Sequence, residues 1–182
     1  CASTLPNGRF LFCNLVASGR AWGAGFTLFL ARGSSERFVG YNVANCDPKR
    51  MLELVSELWA GAGSDLDGIL FFGTPSTLFH LANAICLEHL EVASKTKSIV
   101  FVGEVPSGPT IDHWKTRFPN SMVHSYFGCS EFNLGGFSYG IDFRELTVVP
   151  NSSIIFIVDE ISGEIITGKG RVGLLVGSCL YT

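Results

Sequence analysis

The segment "HSYFGCSEFNLGG" (residues 124–136) holds the residue types best suited to chemistry in this sequence. An aromatic side chain, a glycine, a hydroxyl and a carboxylate occur together at Phe127, Gly128, Ser130 and Glu131. An aromatic face can stack on a base, glycine lets a ligand approach the backbone, and a carboxylate binds hard cations. These residues suit a nucleotide with its magnesium ion, although an ordinary tight turn tolerates the same set.

Two further loops combine glycine with polar side chains. "GTPS" follows the apolar run at 68–72, and "GEVPSG" follows the run at 98–102. They contribute the candidate polar side chains Thr74, Ser76 and Glu104. Ligands of open parallel sheets collect beyond the carboxyl ends of the strands. Each loop could be Gly- and Pro-rich only in order to turn, so the convergence of three such loops is more informative than any one.

The elements that position these loops follow from hydrophobic periodicity. Short continuous apolar runs flanked by glycine indicate strands buried on both faces, as in a parallel sheet. Between them, apolar residues recur at helical spacing, and the first two helical stretches open with Asp47-Pro48 and Thr74-Pro75, which are helix-start signals. We therefore predict strands at 10–16, 68–73, 98–103 and 121–127, and helices at 48–60, 75–91 and 107–118. Alternating strands and helices predict an α/β fold with a largely parallel sheet and flanking helices.

The pattern changes after about residue 130. Short apolar stretches separated by Asn, Gly and Ser predict a small antiparallel β region. We therefore expect an α/β subdomain at 1–130 and a small β subdomain at 131–182. Within the latter, "GEIITGKG" approaches the phosphate-binding pattern, but Gly170 stands where that pattern needs a hydroxyl, and no helix follows. Lys169 is therefore interpreted as part of a hairpin turn.

Composition excludes several classes of function. The chain has 182 residues, of which 47% are hydrophobic and 16% charged, and this is typical of a globular protein. A net charge of −3 gives no electrostatic reason to bind nucleic acid. No apolar run reaches the ~20 residues that a membrane span needs. The six cysteines are dispersed and form no C-x-x-C pair, so we expect reduced thiols in a cytoplasmic protein and no cysteine metal site.

Taken in order, these segments resemble the large N-terminal domain of the adenylate-forming superfamily, which includes acyl- and aryl-CoA ligases, luciferases and adenylation domains. "FFGTPSTLFHLANAI" is similar to the strand–loop–helix beside the carboxylate pocket, and "VFVGEVPSGPTIDHW" to the "GGEPL" segment, with Val102 in place of its first glycine. "YFGCSE" is similar to "YGxTE". "IVDEISGEIITGKGRVGLLVGS" resembles the β region that follows, with Leu174 where an acid usually stands. Phenylacetate–CoA ligase-like and acyl-protein synthetase-like members are the most similar in character.

The resemblance implies roles for individual residues. Phe127 would stack on adenine, Ser130 would hydrogen-bond to the α-phosphate, and Glu131 would hold Mg²⁺, with Ser130 and Glu131 forming the catalytic pair. The implied ATP/AMP-binding residues are Gly103, Glu104, Val105, Phe127, Gly128, Cys129 and Ser130. Those implied for the carboxylic acid pocket are Thr74, Pro75 and Ser76.

The reaction implied is AMP-forming ligation of a carboxylic acid, through an acyl-adenylate, to CoA, an amine or a protein thiol. A phosphate loop would precede residue 1, and a ribose-binding aspartate and a lysine-bearing domain would follow residue 182. The chain would then be a central piece that works with the remaining domains of a larger enzyme. An alternative is a catalytically inactive nucleotide- or acyl-binding or interaction module of the same fold, and a third is an unrelated α/β domain. The sequence does not specify the acid or the acceptor.

Overall fold

The protein is described here from a computed structural model, which covers residues 8–16, 38–44, 46–62, 65–129, 134–137, 147–148 and 153–179. Side chains are described throughout these ranges except at 127–129, 134–137, 147–148, 153 and 178–179.

Five parallel strands form the centre of the fold. They are β1 (Phe10–Asn14), β2 (Phe38–Asn42), β3 (Gly68–Gly73), β4 (Thr96–Val102) and β5 (Met122–Cys129), arranged in the order β2-β1-β3-β4-β5. Two antiparallel strands, β6 (Leu134–Phe137) and β7 (Thr147–Val148), extend the same sheet beyond β5. The predicted α/β class with a largely parallel sheet is confirmed.

The continuous apolar character of the strands is explained by burial on both faces. On one face, Leu11 of β1, Phe71 of β3 and Phe101 of β4 belong to a core that the helices cover. On the other face, Phe12 and Phe72 belong to a second buried cluster. A strand buried on both sides has no polar alternation, which is why short apolar runs identified these strands.

The helices of the described ranges pack on the first of these faces. They are α1 (Pro48–Ala62), α2 (Pro75–Ala84), α3 (Leu90–Lys95), which follows a 3₁₀ turn at Leu87–His89, and α4 (Gly108–Arg117). At the starts of α1, α2 and α4, backbone N–H groups of the first turn donate to a side-chain oxygen of the preceding residue, which is Asp47, Thr74 and Ser107 respectively. A proline stands in the first turn of each of these helices, as the sequence signals predict. None of the helices described is long and apolar enough to cross a membrane.

The predicted helix at 75–91 is interrupted in the structure. α2 ends at Ala84, and Ile85 takes an extended conformation with ψ of 121°. The 3₁₀ turn and α3 then follow as separate elements. Ile85 and Val92, on either side of the break, are both buried in the helix-covered core. The helical periodicity of the sequence runs through the break without a Gly or Pro signal, so it did not predict the interruption.

A separate antiparallel ribbon contains β8 (Ser153–Val158) and β9 (Leu174–Cys179). In the segment that joins them, the Asp159 carboxylate accepts the backbone N–H groups of Ile161 and Ser162, and these bonds lower the pKa of Asp159. Lys169 is exposed in a turn of the same segment, which agrees with its interpretation as a hairpin residue. The ribbon confirms the small antiparallel β region, whereas the subdomain boundary at 130/131 stays a prediction.

Candidate active site

The carboxyl ends of the parallel strands define the candidate site. β3, β4 and β5 are consecutive neighbours in the sheet and run in the same direction, so their carboxyl ends meet at one edge. The sheet order also creates a topological switch point between β1 and β3. From β1 the chain continues to β2 on one side of this point, and from β3 it continues to β4 on the other side. Ligand crevices of open α/β sheets form outside the strands at such a point.

Hydroxyl groups are clustered where β3 ends. Thr74 Oγ1 lies 3.0 Å from Ser76 Oγ and 2.9 Å from Thr77 Oγ1, and it accepts the Thr77 N–H at 3.3 Å. Pro75 is buried at the start of α2, whereas Ser76 is exposed. The cluster is therefore fixed to the helix terminus by its own hydrogen bonds. It presents a hydroxyl to solvent that can donate to a carboxylate or phosphate oxygen.

The exit of β4 has the backbone conformation of a tight turn. Gly103 has a φ of 86°, in the left-handed region that favours glycine. The next two side chains, Glu104 and Val105, are exposed, and Val105 is 84% exposed. Pro106 is buried behind them. This exit therefore presents one carboxylate and one apolar side chain to solvent at the same edge as the hydroxyl cluster.

The third motif differs in part from its predicted loop. β5 continues to Cys129, so Phe127, Gly128 and Cys129 lie in the strand, where the sequence predicted that a loop begins after residue 127. Gly128 pairs with Gly135 and Phe127 with Gly136 of β6, so the glycines that suggested a loop also occur in a β ladder. Ser130 and Glu131, the predicted catalytic residues, lie outside the described residues.

Sequence analysis did not identify Asn14, a polar residue that also lies at the carboxyl ends of the parallel strands. Asn14 ends β1, on the switch-point side, and its Oδ1 accepts the Val16 N–H at 3.1 Å. The next residue, Leu15, donates its N–H to the carbonyl of Phe72 at 2.8 Å and so ties the β1 exit to β3. Asn14 lies inside the strand predicted at 10–16 and no glycine follows it directly, so the signal that identified the other exits is absent here.

The described side chains do not test the predicted magnesium site. Within the ranges given above, no group of three His, Cys, Asp or Glu residues lies close enough to hold a metal ion. Glu131, the ligand that the resemblance implies, is not among those residues.

A substitution at Gly103 should reveal the strain of the β4 exit. We expect Gly103→Ala to lower the free energy of unfolding by about 1 to 2 kcal/mol, because an L-residue disfavours positive φ. Gly108→Ala is the matched control: an added Cβ meets nothing within 4 Å at either glycine, but only Gly103 has positive φ. The control should be neutral or stabilising by up to about 1 kcal/mol. Urea denaturation measures both, and equal effects would contradict this account.

Comparisons with known proteins identify the fold. No family model matches the sequence, and no curated protein matches it significantly. Solved structures do match: the luciferase-like enzyme of the nonluminescent mealworm Zophobas morio has a TM-score of 0.67, 17% identity and 93% coverage of this chain. The acyl-CoA synthetase of Brucella canis has a TM-score of 0.59, 16% identity and 93% coverage. The structure named IdnL1 has a TM-score of 0.67, 16% identity and 98% coverage.

These likenesses establish a shared fold. The chain has the α/β architecture found in an acyl-CoA synthetase and in a luciferase-like enzyme, which are classes that the sequence motifs also suggested. It spans 39% of the mealworm enzyme, 30% of the Brucella canis enzyme and 36% of IdnL1. The similarity therefore covers nearly all of this chain but less than half of each of those proteins.

Proposed function

We propose that this chain is part of an ATP-dependent ligase that activates a carboxylic acid as an acyl-adenylate. The observation that carries the proposal is the arrangement of β3, β4 and β5, whose adjacent carboxyl ends bring three motif-bearing segments to one edge of the sheet. The fold shared with an acyl-CoA synthetase supports it. In this proposal residues 1–130 form the nucleotide- and carboxylate-binding subdomain, and residues 131–182 form a small β subdomain beside it.

Each segment has a proposed part in binding. The exposed hydroxyl of Ser76, with Thr74 and Pro75 behind it, borders the pocket for the acid. The β4 exit lines the adenine pocket through Gly103, Glu104 and Val105, since a left-handed glycine with open space beside it allows a ring to approach the backbone. The neighbouring β5 segment contributes an aromatic face for adenine, backbone beside the ring and a hydroxyl for the α-phosphate, from Phe127, Gly128, Cys129 and Ser130.

In the proposed reaction the protein positions the substrates and neutralises charge, and it forms no covalent intermediate with them. A carboxylate oxygen of the substrate attacks the α-phosphorus of ATP, the bond to the bridging oxygen breaks, and acyl-adenylate and pyrophosphate form. The protein contributes by holding the two anions in line. Mg²⁺ held by Glu131 would neutralise charge on the phosphate oxygens. A thiol of CoA or of a protein, or an amine, then accepts the acyl group and releases AMP.

The test is carboxylate-dependent pyrophosphate exchange by the full-length protein that contains this chain. With ATP, Mg²⁺ and labelled pyrophosphate, we expect label to enter ATP only when a suitable carboxylic acid is present. A panel of short-chain, long-chain and aromatic acids would identify the substrate class. ATP binding by calorimetry without exchange for any acid would instead support an inactive nucleotide-binding module. Absence of both exchange and nucleotide binding would overturn the proposal.

A further inference from the structure

A cysteine and a histidine are paired away from the candidate site. Cys86 Sγ lies 3.1 Å from His89 Nδ1. The turn that joins them is closed by a backbone hydrogen bond of 3.0 Å from the His89 N–H to the Cys86 carbonyl. Cys86 directly precedes the 3₁₀ turn and His89 is its last residue, so this short turn brings the two side chains together. From this geometry we propose that Cys86 is a nucleophilic thiol, with His89 as its base, that forms mixed disulfides with low-molecular-weight disulfides.

A reactive thiol site needs a base that is held in place and a sulfur that solvent can reach, and the two residues meet these needs. His89 is only 3% exposed, so its imidazole is held in place by packing. Cys86 is exposed and can be reached from solvent. The distance between sulfur and nitrogen is within the roughly 2.6–3.2 Å reach typical of a nucleophile and its base. A fixed base beside an accessible thiol favours proton transfer at the moment of attack.

The other two cysteines whose side chains are described lack this combination. Cys13 is fully buried in β1, and burial raises the pKa of its thiol far above the ordinary range, so it stays protonated and unreactive. Cys46 is half-buried, and within the described ranges no histidine hydrogen-bonds to its sulfur. These two residues are internal references for any reaction at Cys86.

The proposed reaction is a thiol–disulfide exchange. His89 Nδ1 accepts the thiol proton of Cys86, and the resulting thiolate attacks one sulfur of the incoming disulfide. A new bond forms to Cys86 Sγ as the disulfide bond of the reagent breaks. The released thiolate takes the proton from the imidazolium and leaves as a thiol. The only oxidant is the disulfide itself.

The pair is at the opposite edge of the sheet from the candidate active site. α2 begins at the carboxyl end of β3 and extends for 10 residues, about 15 Å, before the chain reaches Cys86. The chain then passes through α3 to Thr96, the first residue of β4. Cys86 is therefore near the amino ends of the strands, and its modification does not depend on whether the protein forms adenylates.

The experiment follows the reaction of the chain with oxidised glutathione at pH 7 and pH 9, with peptide mapping by mass spectrometry. We expect Cys86 to be glutathionylated faster than Cys46, and Cys13 to remain unmodified. His89→Asn keeps a polar group near Nδ1 but cannot take the proton, so the rate at Cys86 should fall about threefold or more at pH 7. The difference should shrink at pH 9, where hydroxide in solution can take the thiol proton in place of His89. Cys86→Ser identifies the modified peptide.

Three results would overturn the proposal. The first is a His89→Asn variant that melts like the wild type and reacts at an unchanged rate at pH 7. The second needs no variant: in the wild-type chain, Cys86 reacts no faster than Cys46. The third is a rate that falls equally at both pH values, which would show that His89 affects access to Cys86 and does not act as its base.

Discussion

Replacing Trp114 with alanine should lower the free energy of unfolding by about 3 to 5 kcal/mol, which is the usual cost of deleting a buried aromatic side chain. Trp114 is fully buried in α4, and its ring lies 6.0 Å from that of Phe101 on β4. The side chain therefore joins the helix to the centre of the sheet. The loss should be visible as a lower urea midpoint at an unchanged slope, followed by circular dichroism.

Trp114→Phe separates packing from hydrogen bonding at the same position. The indole N–H of Trp114 finds no acceptor among the described residues, so removing it leaves no partner unsatisfied. We expect Trp114→Phe to cost far less than the alanine variant, about 1 to 2 kcal/mol. In α1, the Trp59 indole N–H donates to the Glu91 carboxylate at 3.1 Å, so Trp59→Phe also loses a hydrogen bond. If Trp114→Phe were as destabilising as Trp114→Ala, the packing explanation would be wrong.

Much of the fold could be predicted because its local signals agree with its tertiary environment. β3 is buried along all six residues, so its apolar run has no competing interpretation. The starts of α1 and α2 could be placed because a capping oxygen accepts a free N–H of the first turn and the proline that follows has no N–H to satisfy.

The remaining features depend on contacts between distant residues. The strand order β2-β1-β3-β4-β5 and the pairing of β6 with β5 leave no periodic signal in the sequence. The end of α2 at Ala84 is marked by no glycine or proline in the sequence. Hydrophobic periodicity indicates which face of a helix or strand is buried. It does not indicate which other element that face packs against.

The candidate site was predictable to the extent that parallel strands share a carboxyl edge. Glycine with hydroxyl residues after the β3 run, and glycine with a carboxylate after the β4 run, identified two exits that the structure brings to that edge. The Cys86–His89 pair was not predicted, because the sequence favoured one continuous helix through both residues. The pair depends on the 3₁₀ turn that follows the break after α2.

Replacing Glu131 with glutamine in the full-length protein should reduce the rate of adenylation by about two orders of magnitude or more. If Glu131 is the magnesium ligand, glutamine keeps its size and hydrogen bonding but removes the charge that a hard cation prefers. Neutralising charge in the transition state contributes several kcal/mol, and about 1.4 kcal/mol corresponds to a factor of ten in rate. Carboxylate-dependent pyrophosphate exchange measures the loss.

Thermal melting of the same preparation distinguishes this role from a structural one. Glu131 follows the end of β5 by two residues, and a carboxylate that only caps a turn would contribute at most about 1 kcal/mol to stability. A metal ligand would instead affect exchange strongly and leave the melting temperature nearly unchanged. Glu88→Gln is the matched control, since it removes the same charge at an exposed position that has no proposed part in binding ATP or Mg²⁺. A lower melting temperature with unchanged exchange in Glu131→Gln would refute the magnesium role, whereas equal losses of exchange in both variants would indicate a non-specific effect of the lost charge.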